Sequence, residues 1–159
     1  MSEVFYPRDY AKKVLPKGFW RRTLTNNKFG MKRQSLKALT TARAIDGRAI
    51  KETIYNTLEE YELKYRALRK EGVSSHDAFS EAVNDEALLK QRIENAVVYD
   101  KVQDLRVKYK GKRFRWLPSG AKVPRAEHQL KYGKIYNVDD VEYLPGEEWG
   151  CDCGAEYFD

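Results

Sequence analysis

Three side chains near the end of this 159-residue chain have the chemistry of metal ligands: His128, Cys151 and Cys153. Imidazole nitrogen and thiolate sulfur are donors that tetrahedral zinc favours. A Cys-x-Cys pair can turn both sulfurs toward one centre, and a histidine well upstream can return to it. His76, Asp139, Asp140, Asp152 or water are candidates for a fourth ligand. A loop-rich module would gain stability from such a site, because metal binding adds to the free energy of folding. The spacing is not that of a zinc finger, whose arms are Cys-x-x-Cys or His-x-x-x-His. The alternative is two small buried thiols beside a histidine hydrogen-bonded within a turn. A disulfide across one intervening residue is strained, so free thiols or metal ligands are the expected states.

His128 also has Glu127 and Arg125 close by in sequence. Acid, imidazole and thiols together could serve nucleophilic or metal-assisted hydrolysis. The sequence lacks a glycine-rich phosphate loop, a nucleophile-elbow serine and a His-Glu-x-x-His motif. The tandem acids Asp139-Asp140 and Glu147-Glu148 read as solvated turns. The expectation is a protein that is not an enzyme.

Charge is strongly polarised. The net charge is +6, with 12 basic residues and one acid between Lys12 and Lys51. Leu105 to Ala126 holds 8 basic residues and no acid, and Asn137 to Asp159 holds 8 acids and no base. Such asymmetry suits a polyanion, electrostatic docking of a protein subunit, or both. It equally suits an acidic tail folded over a basic patch. No run of about 18 apolar residues is present, so no membrane-spanning helix is expected. The first residues lack a basic region followed by an apolar one, which places the expected site of action in a cytosol.

The elements that must position these residues follow from periodicity. Residues 1–30 read as an extended arm, because Tyr6-Pro7, Leu15-Pro16 and Lys17-Gly18 interrupt helices. Its Phe19, Trp20 and Phe29 are interleaved with Arg21, Arg22 and Lys28, a pattern that suits a partner, a nucleic acid or the protein's own core. Residues 31–104 read as helical, with a break near Asp46-Gly47. Ile50, Ile54, Leu58, Tyr61, Tyr65 and Leu68 form one apolar stripe. Glu71-Gly72 stops that helix. Ser74 with Asp77 opens the next, which carries Phe79, Val83, Leu89, Ile93, Ala96 and Val97 and runs to about Asp104. Two long helices joined by a short link predict an antiparallel pair.

From Leu105 the period changes. Leu105, Val107 and Tyr109, then Phe114 and Trp116 beyond Gly111, alternate with cations and predict a β-hairpin. Its outer face would present Arg106, Lys108, Lys110, Arg113 and Arg115 as a ribbon able to contact phosphates without reading sequence. Turn residues dominate residues 117–159, with short strands predicted at about 134–138 and 154–158. The fold class is therefore α+β: an N-terminal arm and long antiparallel helices followed by a small, turn-dense, β-rich module over residues 105–159.

Residues 116–153, about a quarter of the chain, carry a family pattern. It comprises Trp116, Arg125-Ala126-Glu127-His128, Leu130-Lys131-Tyr132-Gly133-Lys134-Ile135-Tyr136, Asp139-Asp140 and Pro145-Gly146-Glu147-Glu148-Trp149-Gly150-Cys151-Asp152-Cys153. This resembles the C-terminal signature of the phage Mu F-like minor head (head morphogenesis) proteins. That signature has a Trp, an Arg-x-x-His, a Gly-Lys followed by an aromatic, and a closing Pro-Gly-x-x-x-x-Cys-x-Cys. Asp152 stands where the family usually has a basic residue, Ala126 where proline is frequent, and Gly150 where asparagine is common. The resemblance implies a structural protein present in a few copies inside the virion head. It would be made in the host cytoplasm and act in head morphogenesis beside portal, capsid or scaffold proteins and packaged DNA. Two other readings stay open on the residues: a free phage-encoded nucleic-acid-binding protein, and a metal-dependent nuclease or toxin that has borrowed the module.

Overall fold

The chain begins with structure where an arm is expected. In the computed structural model, which describes residues 2–15, 36, 38–83, 86–120 and 124–159, a strand β1 (Ser2–Phe5) leads into a helix α1 (Pro7–Val14). Pro7 starts that helix instead of breaking it, since its fixed φ and missing N–H suit the first helical position. The Tyr10 amide closes the first turn on the Tyr6 carbonyl at 3.0 Å. The rest of the expected arm, including Phe19, Trp20, Phe29, Arg21, Arg22 and Lys28, lies outside the described residues.

The remaining elements are α2 (residues 38–42), α3 (Arg48–Lys70), α4 (Ser75–Ala82), α5 (Glu86–Lys108), β2 (Arg113–Leu117), the single turn α6 (Ala126–Gln129), β3 (Ile135–Asn137), a 3-10 turn (Val138–Asp140) and β4 (Gly154–Phe158). The fold is α+β. The two later strands fall where the sequence predicts them. No described helix is long and apolar enough to cross a membrane.

The chain forms two compact units, Met1–Val14 with Val97–Asp159, and Leu15–Ala96. In the first, an antiparallel sheet has the order β1-β4-β2-β3. The two ends of the chain are thus neighbours, with Ser2 opposite Phe158 and Phe5 opposite Ala155. Side chains alternate across a strand, so Phe114 and Trp116 of β2 and Ala155 and Tyr157 of β4 all face the core. Helix α5 covers them with Val98, Val102 and Leu105, joined by Tyr109 on the turn that follows, all buried in one cluster. Tyr109 stacks on Tyr157 with ring centroids 4.8 Å apart.

That packing corrects the predicted hairpin. Leu105 and Val107 belong to a helix that continues to Lys108. Tyr109 sits on the turn that closes it, its amide bonded to the Leu105 carbonyl at 2.9 Å, and only Arg113–Leu117 is a strand. Leu105 and Tyr109 extend the stripe Val98, Val102 by one helical repeat, which a two-residue period imitates. Val107, which a strand would bury, is 79% exposed.

In the second unit, α3 ends where predicted. Gly72 takes φ +88°, and the amides of Gly72 and Val73 close on the carbonyls of Arg69 and Leu68 at 3.1 Å each. These bonds form a glycine-terminated cap. The Ser74 hydroxyl accepts from the Asp77 amide and starts α4, also as predicted. The following helix is not continuous, for α4 stops at Ala82 with Val83 out of helical backbone, and α5 is described from Glu86. The α3 stripe is only partly core. Ile50, Ile54 and Thr57 are buried, whereas Leu58, Tyr61 and Tyr65 line an open groove of about 560 Å³ with Phe79 and Val83.

Candidate metal centre

The Arg-x-x-His segment forms the helical turn α6, closed by the His128 amide on the Arg125 carbonyl at 3.0 Å. One turn of helix places residues three apart on the same side. Arg125 and His128 therefore approach the Pro145–Cys153 loop together, while Glu127 is exposed. His128 itself is only 5% exposed, and its ring meets the edge of Trp116 at 5.4 Å. Lys131, on the turn after α6, sits 4.7 Å from the Trp116 ring centroid.

The closing loop brings in the sulfurs. Gly146 adopts φ +88°, and a Cβ there would lie 2.8 Å from Pro7, so only glycine suits this corner. Its amide donates to Cys151 Sγ at 3.4 Å, and the Cys151 amide donates to the Glu148 carbonyl at 3.0 Å. Cys153 directly precedes β4, and both cysteines are buried free thiols. His128 Nδ1 lies 3.6 Å from Cys151 Sγ and 3.4 Å from Cys153 Sγ. The three ligand atoms all fall within 4.8 Å of one another.

This group could hold a metal ion. Nitrogen and sulfur around one tetrahedral zinc stand about 3.5 Å apart, given bonds of about 2.0 and 2.3 Å, and both nitrogen–sulfur distances match. The two thiols behave as a pair. A hydrogen bond from Cys153, helped by the Gly146 amide, holds the Cys151 thiol down to about 6 against the cost of burial. The same bond and burial push Cys153 up. The bond thus favours the thiolate at Cys151, the form that ligates a metal. The buried indole N–H of Trp116 has no hydrogen-bond partner among the described residues. It bears on Cys153 in the direction that favours the thiolate, as does the Tyr132 hydroxyl. A metal-bound sulfur would supply the missing acceptor.

The other side of the imidazole is equally specified. His128 Nε2 lies 3.0 Å from Glu148 Oε2, and the same oxygen accepts from Arg125 Nη1 at 2.7 Å. Arg125 also donates to the Trp149 carbonyl. Sequence reasoning missed Glu148, which it read with Glu147 as a solvated turn. No local spacing marks Glu148 out, because its partners arrive from α6. The proposed fourth ligands are engaged elsewhere: Asp139 accepts from the Gly111 amide at 2.9 Å, Asp140 from Asn137 at 2.8 Å, and Asp152 pairs with Arg8 at 3.1 Å. His76 belongs to the other compact unit, beside Asp77.

The predicted cationic ribbon does not form. Arg106, on α5, bonds to both oxygens of Glu147 and to the carbonyls of Val138, Val141 and Glu142. It ties down a loop, and its guanidinium is taken up by these acceptors of the protein itself. Lys108 pairs with Glu3 at 2.7 Å and Arg115 with Glu156 at 3.6 Å. Lys110 and Arg113 remain exposed, joined by Lys112, on the turn and strand that follow α5.

Comparison with family models, curated proteins and solved structures finds no match to this chain.

Proposed function

We propose that the chain is a minor head protein of the phage Mu F-like kind. In this reading it is a structural component of the virion head, acts in head morphogenesis, and catalyses no reaction. It contacts portal, capsid or scaffold protein and touches packaged DNA without sequence specificity. One observation carries the reading. The residues that make the resemblance are scattered over residues 116–153, yet Trp116, His128, Cys151 and Cys153 meet around a single buried point, and Arg125 reaches its rim through Glu148. All three candidate ligands are buried, which suits a structural staple better than a site that must admit and release substrate.

In the same reading the ion is zinc, held by His128 Nδ1 and the sulfurs of Cys151 and Cys153. Its chemistry there is that of a cross-link between α6 and the strand entry at β4. The positive surface is the exposed set Lys110, Lys112 and Arg113, which can contact phosphates but carries no base-reading geometry.

The test is mass spectrometry and cryo-EM of virions from a host carrying the gene. The chain is expected in the purified head, in few copies. Its absence from assembled particles, or multiple turnover of any substrate by the purified protein, would overturn the proposal.

A further inference from the structure

We infer that Glu148, clamped by Arg125, is the positioning carboxylate of the metal centre and dictates which imidazole nitrogen binds the ion. The inference rests on the zinc reading above and adds the outer partners of the ligand.

The argument starts from what each atom can do. A carboxylate oxygen accepts hydrogen bonds and donates none. Glu148 Oε2 is 3.0 Å from His128 Nε2, so the contact is a hydrogen bond only if Nε2 carries the proton. In neutral imidazole the other nitrogen then presents its lone pair. That nitrogen is Nδ1, the atom 3.4 and 3.6 Å from the two sulfurs. The two faces of the ring are thus assigned by geometry alone: Nε2–H to the carboxylate, Nδ1 to the metal. Metal-bound histidines commonly donate their second N–H to a carboxylate, which fixes the tautomer and raises the basicity of the ligand.

Arg125 does for Glu148 what Glu148 does for His128. Its guanidinium holds the carboxylate oxygen and, through a second nitrogen, the Trp149 carbonyl. Because Arg125 and His128 sit on one helical turn, a single short element delivers both the ligand and the clamp on its partner. The Arg-x-x-His spacing thereby acquires a physical reason that does not involve catalysis. Planar, two-pronged recognition of this sort is what arginine provides and lysine does not.

The experiment measures zinc affinity by competition with a chromophoric chelator for the full-length protein and for Glu148→Gln, Glu148→Ala, Arg125→Lys and Arg125→Ala. Nitrogen-15 NMR of His128 is recorded with and without zinc. Wild type should bind one zinc with Nδ1 metallated and Nε2 protonated. Glu148→Ala should weaken zinc about 10- to 100-fold and let the metal-free ring populate both tautomers. Glu148→Gln keeps shape and one accepting oxygen, so it should fall between, and Arg125→Lys should recover part of what Arg125→Ala loses. Zinc bound through Nε2 would overturn the inference. So would a Glu148→Ala protein with wild-type affinity and an unchanged tautomer; either result leaves zinc binding itself standing. A wild-type protein that takes up no zinc would overturn both.

Discussion

Arg106 of α5 grips both carboxylate oxygens of Glu147, at 3.2 and 3.0 Å, across 41 positions of sequence. The Glu147 side chain is only 9% exposed, and Arg106 retains 27%. A pair this sheltered is costly to break from one side, because the remaining charge stays desolvated. Arg106→Met should therefore destabilise the protein by about 2–4 kcal/mol, with the lower end favoured by the water that Arg106 keeps. Urea denaturation checks this. A variant within about 0.5 kcal/mol of wild type would show that the pair has no structural weight.

The metal centre predicts a protein whose stability depends on its ion. Purified without chelator, it should carry about one zinc per chain by elemental analysis. Stripping the zinc should lower the melting temperature, since a ligand bound only by the folded state adds to its stability. His128→Ala and Cys153→Ser should melt near the stripped protein and gain little from added zinc. A melting temperature indifferent to chelator and to zinc would leave two buried thiols and no staple.

Gly146 tests the corner that presents Cys151. Alanine there needs a left-handed backbone and meets Pro7 at 2.8 Å. Gly146→Ala should cost about 1–3 kcal/mol, read by the same denaturation. Gly72→Ala is the control, since it shares a positive φ but has open space around the added methyl. It should cost less.

Glu3 gives the fold a defined acid sensitivity. Its carboxyl is held below the usual range, first by the hydrogen bond from Lys108 and then by that from Tyr109. A depressed folded-state value means that the contribution is complete above the unfolded value of about 4.3 and is lost as pH falls through the lower, folded one. Glu3→Gln should therefore be less stable than wild type at pH 7, and the difference should vanish in strong acid. A gap that persists unchanged down to pH 2 would assign the effect to packing and not to ionisation.

The exposed cations after α5 make a separate prediction about DNA. Lys110→Glu with Arg113→Glu should lower affinity for duplex DNA of any sequence. It should also reduce the slope of log K against log salt by about 2, since each lost phosphate contact contributes about 0.9. Arg115, paired with Glu156, should contribute less when replaced alone. A double variant with unchanged affinity and slope would remove this surface from the proposed function.

Much of the fold is legible in the residues. Helix ends marked by Ser74 and Gly72 are written in local chemistry, because a cap is satisfied within a few residues of itself. The strand at β4 and the candidate ligands His128, Cys151 and Cys153 are likewise visible from type and spacing. Ambiguity enters where two periods coincide. Leu105 and Tyr109 satisfy a strand of period two and a helix of period near 3.6, and Val107 between them carries no deciding information. The apolar face of β2 and β4 decides it, by offering α5 a surface to cover. The N-terminal strand was hidden for a similar reason. Ser2–Phe5 has a partner only because β4 arrives beside it from the other end of the chain.

By itself, the amino-acid sequence determined the class of the fold, its local stops and starts, and the kinds of donor atom available. These depend on backbone preference and side-chain chemistry, which act over a few residues. Only the tertiary structure decided which charges are used up and which acid serves the histidine. Arg106 passed from a supposed phosphate contact to a loop anchor, and Glu148 from a solvated turn to the partner of Nε2. Electrostatic and hydrogen-bond strength depends on distance and burial in space, and neither quantity is written in the order of the residues.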